Sequence, residues 1–209
     1  MAVRAPVPAR KGAQTRAAIL DHAADLATQI GLEGLTIGRL AAELDLSKSG
    51  LFAHFRSKEA LQVQVLEEAS RRFVDQVIRP ALTAPRGPQR LRALFERWLE
   101  WTKTHSGPGG CLFVAAAAEL DDRPGPVRDR LVSLQKDWLE VIANVAQSGV
   151  ADGKLRKALD CDQLAHDVYS VMLGYHHAAR LMRDPHAEAR ARSGFQTLLH
   201  AALRPRRAA

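Results

Sequence analysis

Apolar residues recur along this chain at intervals of three and four, the period of a helix, and nowhere alternate for long as a strand would. From Thr15 they fall at Ile19, Ala23, Leu26 and Ile30, and Gly31 ends the run. Thr36 predicts the cap of a second helix to about Leu44, with Leu35 and Leu40 at the two positions of a hydrophobic staple. Ser47 predicts the cap of a third, ending near Phe55, and Ser57 that of a fourth through Leu61, Val65, Ala69 and Phe73. Pro88 suits the first turn of the next helix, striped by Leu91, Leu94, Phe95, Trp98 and Trp101. THSGPGG at 104–110 breaks the chain, and CLFVAAAAEL at 111–120 is apolar on nearly every side, so it is expected to be buried. A long helix is predicted from Val127 to Gly149, its stripe including Leu131, Leu134, Trp138, Val141 and Val145. DCDQ at 160–163 has the spacing of a capping box before a helix at about 162–183, and Asp184-Pro185 opens a last one at 185–203. The expected fold class is all-α, with about nine helices.

The chain has 209 residues, 46% apolar and 25% charged, which suits one large globular domain or a small one joined to a medium one. No apolar run approaches the ~20 residues of a membrane span. MAVRAPVPARKGAQTR is basic but holds no apolar block, so no secretory signal is expected, and the cytoplasm is the expected location. Cys111 and Cys161 match no zinc spacing, and two free thiols in a reducing compartment are expected, with no metal and no cofactor. The net charge of +7 fits a polyanionic partner, and both ends are basic. Residues 1–14, without periodicity, predict a disordered basic tail, and 205–209 a second short tail. Arg4, Arg10 and Lys11 could serve as a minor-groove arm.

The short helices around 36–55, joined by a tight turn, describe a helix-turn-helix unit. Such a unit leads into a major groove with the N-terminal residues of its second helix. Here those are Ser47, Lys48 and Ser49, suited to base edges and phosphates, while Leu51 and Phe55 would anchor the helix on Leu20, Leu40 and Leu44. Thr36 and Lys58 open flanking helices, where free backbone N–H groups already favour an anion. GLEGLTIGRLAAELDLSKSGLFAHFRSKEAL, 31–61, resembles the N-terminal DNA-binding domain of the tetracycline-repressor (TetR) family of bacterial regulators. The likeness covers 15–61. It rests on the Thr36 start, Leu40-Ala41, Leu46-Ser47, His54-Phe55 and Lys58-Glu59-Ala60-Leu61. It departs at Asp45, where the family usually has Gly, and at Phe52, where a Tyr hydroxyl often touches a phosphate. The resemblance implies a helix-turn-helix domain at 15–61 and a ligand-binding and dimerisation domain at 62–204. Expected DNA contacts are Thr36, Ser47, Lys48, Ser49, Phe52, His54 and Lys58.

In the second region Phe95, Trp98, Trp101, Phe113, Trp138, Tyr169, Met172, Tyr175 and His176 lie at helical spacing. Such stripes are usually core, but pockets between bundled helices are lined by the same side chains. The resemblance implies a small-molecule ligand among them. Cys111 reads either as an inert buried thiol or as a sensor of oxidants or electrophiles, its pKa lowered by a helix N-terminus. The expected function is a dimeric DNA-binding regulator, a repressor released from a palindromic operator by a small molecule. Its partners would be double-stranded DNA, that ligand and a second copy of the chain, met through Val168, Val171, Phe195, Leu198 and Leu199 of the last two helices. The alternatives are regulation through Cys111 and an architectural DNA-binding protein without ligand. An enzyme is not expected, because no Gly-x-Ser-x-Gly, no His-Glu-x-x-His and no phosphate loop occurs.

Overall fold

The computed structural model describes residues 8–105 and 109–203. Arg4 and the 205–209 tail lie outside the described residues, as do the side chains of Arg10 and Lys11. The first helix, α1 (Pro8–Ile30), begins earlier than the apolar pattern does, so the backbone of 8–14 is helix rather than tail. Pro8 opens it where a missing N–H costs nothing.

Three consecutive hydroxyl caps then set the next helices. Thr36 Oγ1 accepts the Arg39 N–H (3.1 Å) and starts α2 (Ile37–Glu43). Ser47 Oγ accepts the Gly50 N–H (3.1 Å) and starts α3 (Lys48–Phe55). Ser57 Oγ accepts the Ala60 N–H (3.0 Å) and starts α4 (Lys58–Phe73). The α4 helix runs on through a π turn (Val74–Ile78) into α5 (Arg79–Leu82). The wide turn precedes Pro80, which has no N–H to give and whose ring crowds the carbonyl four residues back. After Gly87 come α6 (Pro88–Glu100), a second π turn (Trp101–His105), α7 (Leu112–Leu120), α8 (Pro126–Ala151), α9 (Cys161–Arg180) and α10 (Ala187–Ala202). With α4 and α5 as one rod, nine helices stand among the described residues, and no strand.

One expected motif is half made. Asp160 caps α9 by accepting the Asp162 and Gln163 N–H groups, but the Gln163 amide turns to Asp167 instead of reaching back.

The apolar side chains form two clusters. The first joins Ile19, Leu20 and Ala23 of α1 to Leu40, Leu51, Phe55, Leu61 and Val65, as the pattern implies. It also takes in Leu112, Ala116 and Leu120 of α7 and Val127 and Leu131 of α8. The helix-turn-helix unit therefore does not close its core with residues 15–61 alone. The second cluster runs from Phe73 through α6, α8, α9 and α10, with Phe95 stacked on Phe195 at 4.2 Å. Val168, Phe195 and Leu199 are buried in it within one chain. Only Val171 and Leu198 of the expected interface residues keep part of their surface.

Candidate DNA interface and ligand cavity

The turn between α2 and α3 is closed by two backbone bonds, Leu46 N–H to the Ala41 carbonyl and Asp45 N–H to the Ala42 carbonyl. That pairing requires a left-handed residue just past the helix, and Asp45 takes it with φ 51°. The turn sets α3 so that Ser47, Lys48, Ser49, Phe52 and His54 are all exposed while Leu51 and Phe55 are buried beneath. Thr36, Ile37, Gly38, Lys48, Ser49, Phe52 and Lys58 line one open groove. Gly38 lets the Lys48 stem lie across α2, since a Cβ there would sit 3.0 Å from Lys48 Cε. Ser47 and His54 fall outside this groove, Ser47 at the cap of α3 and His54 in its last turn. The Phe52 ring is 56% exposed, a large apolar face presented among cations.

Lys58 does not stand free as the sequence implied. Its ammonium meets Glu33 at 3.1 Å, and Arg123, from the loop before α8, meets the same carboxylate at 3.0 Å. The Lys58 hydrogen bond holds the Glu33 pKa below the usual carboxylate range. Sequence reasoning passed over two exposed cations of the helix-turn-helix unit, Arg39 on α2 and Arg56 closing α3 with φ 62°. Arg39 was findable, since it sits on the same first turn that Thr36 caps.

A cavity of about 180 Å³ opens where α4 and its π turn meet α6, α7, α8 and α9. Ser70, Phe73, Val74, Ile78, Trp98, Cys111, Phe113, Val114, Leu134, Gln135, Asp137, Trp138, Val141 and Tyr169 line it. Of the expected ligand residues, Trp98, Phe113, Trp138 and Tyr169 come together here. The other five are held elsewhere: Phe95 against Phe195, Trp101 edge-on to Phe73, Met172 fully buried, and Tyr175 edge-on to Trp98. His176 is part-buried on α9, and burial, with Arg180 and His177 nearby, pushes its pKa down to about 4. Phe73, Ile78 and Gln135 were missed. Leu134 and Val141 were legible as a stripe with Trp138 but not as a wall.

Cys111 caps α7 and lies on this wall, fully buried. Of the two readings of Cys111, its burial favours the inert thiol over the sensor with a lowered pKa. Burial pushes the thiol up and outweighs the Val114 and Phe113 backbone N–H groups and Trp101. A thiol held in that state is a poor nucleophile.

The α7 helix links the two regions. Before it, the Gly109 N–H donates to Thr28 Oγ1 on α1 (3.3 Å), in an approach so close that a Cβ on Gly109 would overlap the Thr28 carbonyl. At its far end, Glu119 accepts the Leu32 N–H (3.2 Å) and the Glu33 N–H (2.8 Å), capping the turn between α1 and α2. Gln62 of α4 donates to the Leu32 carbonyl from the other side.

A helix-turn-helix head whose core is completed by the helices that wall a cavity is the architecture of a ligand-regulated DNA-binding protein. The chain belongs to the tetracycline-repressor family of bacterial transcriptional regulators. Residues 19–65 match the family described as "Bacterial regulatory proteins, tetR family", and residues 87–195 match "Tetracyclin repressor-like, C-terminal domain". The transcriptional repressor KstR2 of Mycolicibacterium smegmatis is 30% identical over 166 residues, 76% of each chain. A TetR regulator structure from Chloroflexus aurantiacus is 26% identical with a TM-score of 0.85, covering 94% of this chain and 100% of that one. The structure of AibR in complex with isovaleryl coenzyme A and operator DNA shares the fold, with a TM-score of 0.70 and 21% identity, over 90% of this chain and 100% of that one.

Proposed function

We propose that this chain is a homodimeric repressor that leaves its operator when a small molecule fills the cavity between α4, α7, α8 and α9. The observation that carries the reading is that two elements run from the cavity to the helix-turn-helix head. The α4 helix holds Lys58 at the groove and Phe73 at the cavity, ~22 Å further along its axis at 1.5 Å per residue. The α7 helix brings Phe113 and Val114 to the cavity and caps the α1–α2 turn with Glu119. A ligand that spreads the cavity by moving either of them carries that movement to the head. Its effect on DNA binding is bounded by how much better it binds the DNA-free shape, and operator must weaken ligand binding by the same factor.

Dimerisation supplies the second half-site that one recognition helix cannot read. Since Val168, Phe195 and Leu199 are spent internally, the face proposed for the second copy is the outer side of α9 and α10. It holds Ser170, Leu173, Gly174, His177 and Leu181 with Ser193 and Thr197, and Leu181 is 75% exposed. At Gly174 a Cβ would meet nothing, so a second backbone can approach closely there.

Selection of bound sequences from a random duplex pool tests the reading. It predicts enrichment of palindromes with half-sites about one helical turn apart, bound by two chains or a multiple of two. Enrichment of single half-sites by a monomer, or no enrichment, would contradict it.

A further inference from the structure

We propose that Arg123, in the loop between α7 and α8, is a positioning residue for DNA binding: it takes over the Glu33 carboxylate when Lys58 turns from that carboxylate to a phosphate. This rests on the reading of Lys58 as a phosphate contact.

Lys58 stands between two spaces. It lines the open groove with Lys48 and Ser49, and it also lines a hollow of about 220 Å³ between the head and the start of α8. Glu33 and Arg123 line the hollow and not the groove.

Both cations close on one atom. Lys58 Nζ lies 3.1 Å and Arg123 Nη1 3.0 Å from Glu33 Oε2. Among the described residues neither cation meets another carboxylate. The Glu33 backbone is held by its N–H bond to Glu119 (2.8 Å), whereas the Lys58 ammonium rides on a flexible four-carbon stem. The carboxylate therefore stays at the hollow when the ammonium swings into the groove.

A phosphate drawn to Lys58 arrives near the Glu33 carboxylate, and the two anions repel. Arg123 offsets this. It now meets one carboxylate oxygen through one nitrogen, and with Lys58 gone its planar fork can span both oxygens. Without Arg123, Glu33 would hold Lys58 more firmly in the free protein and face the phosphate uncompensated in the complex. Both effects weaken binding on any sequence. Without Glu33, Lys58 starts free and Arg123 has nothing to position.

The test is fluorescence anisotropy of the full chain on a selected duplex and a scrambled one at low salt. Arg123→Gln should weaken both duplexes by roughly two- to fivefold, the scale of one exposed ion pair. Glu33→Gln should tighten both, and by more than Glu59→Gln, which removes a charge from the same hollow but from no ion pair among the described residues. In the Glu33→Gln background, Arg123→Gln should change binding by less than a factor of about 1.5. An equal loss from Arg123→Gln in both backgrounds overturns the proposal, since Arg123 would then act on DNA by its own charge. Weaker binding by both Glu33→Gln and Arg123→Gln also overturns it, since the pair would then merely fasten head to body. Lys58→Ala separates the two readings. If it leaves both duplexes unaffected, the phosphate assignment fails and the proposal with it. If it weakens both while Arg123→Gln weakens neither, the phosphate assignment stands and the proposal alone fails.

Discussion

The joint at Glu119 can be tested without any ligand. Its carboxylate accepts two backbone N–H groups of the α1–α2 turn, at 3.2 and 2.8 Å, in a part-buried site. Glu119→Gln keeps the shape but turns one acceptor into a donor that faces an N–H. Leaving a buried donor without its partner costs ~1–3 kcal/mol, and partial burial puts this case at about 1–2 kcal/mol. The urea midpoint should fall with an unchanged slope. Val141→Phe is the second perturbation, because it fills the cavity where α8 faces α4 and α7. In the wild-type background it should weaken binding to a selected duplex by a factor of roughly 5–30, corresponding to ~1–2 kcal/mol of coupling. In the Glu119→Gln background the same substitution should weaken it much less, since the link from cavity to head is loosened. Fluorescence anisotropy with the four proteins closes the double-mutant cycle. Equal losses in the two backgrounds would show that Glu119 carries none of the coupling, leaving α4 as the path.

Asp45 holds a left-handed conformation at φ 51°, so Asp45→Gly should raise stability by ~0.5–1 kcal/mol while keeping the turn, as read from urea unfolding. Gly109→Ala should lower stability by ~1–3 kcal/mol, because the added Cβ would collide with the Thr28 carbonyl, and the loss should show as a lower thermal midpoint. His176 has its pKa lowered from 6.5 to about 4 by burial, so the unfolded chain takes up the proton first. Its contribution to stability should therefore be complete above about pH 6.5, fall as pH drops toward 4 and change no further below. A urea midpoint series should show this slope flattened in His176→Gln.

What was legible in the sequence follows the range of each interaction. The caps at Thr36, Ser47, Ser57 and Asp160 are made within three residues, so residue type and spacing suffice to find them. The apolar face of α3 was legible for the same reason. The cavity was not, because one stripe serves two environments: on α6, Phe95 meets Phe195 while Trp98, nearly one turn later, reaches the cavity. Cys111 shows the same limit. Its place at a helix start is local and visible, but the burial that decides its chemistry comes from helices far along the chain. Lys58 was legible as a helix-start cation, while its ion pair with Glu33 depends on how α4 packs beside the α1–α2 turn. The exposed pair, at 39% and 38%, is weak enough for a phosphate to displace.

The groove of Lys48, Ser49, Phe52 and Lys58 is the centre of this account, and one set of binding curves tests it directly. Wild-type protein, Lys48→Ala and Lys58→Ala would be titrated onto a selected duplex and a scrambled one across a salt series. Lys58→Ala should weaken both duplexes by a similar factor and flatten the slope of log affinity against log salt by roughly one, as one phosphate contact is lost. Lys48→Ala should cost on the order of 1–3 kcal/mol on the selected duplex and much less on the scrambled one, as a base contact does. If neither variant altered binding to either duplex, the groove would not be the DNA interface.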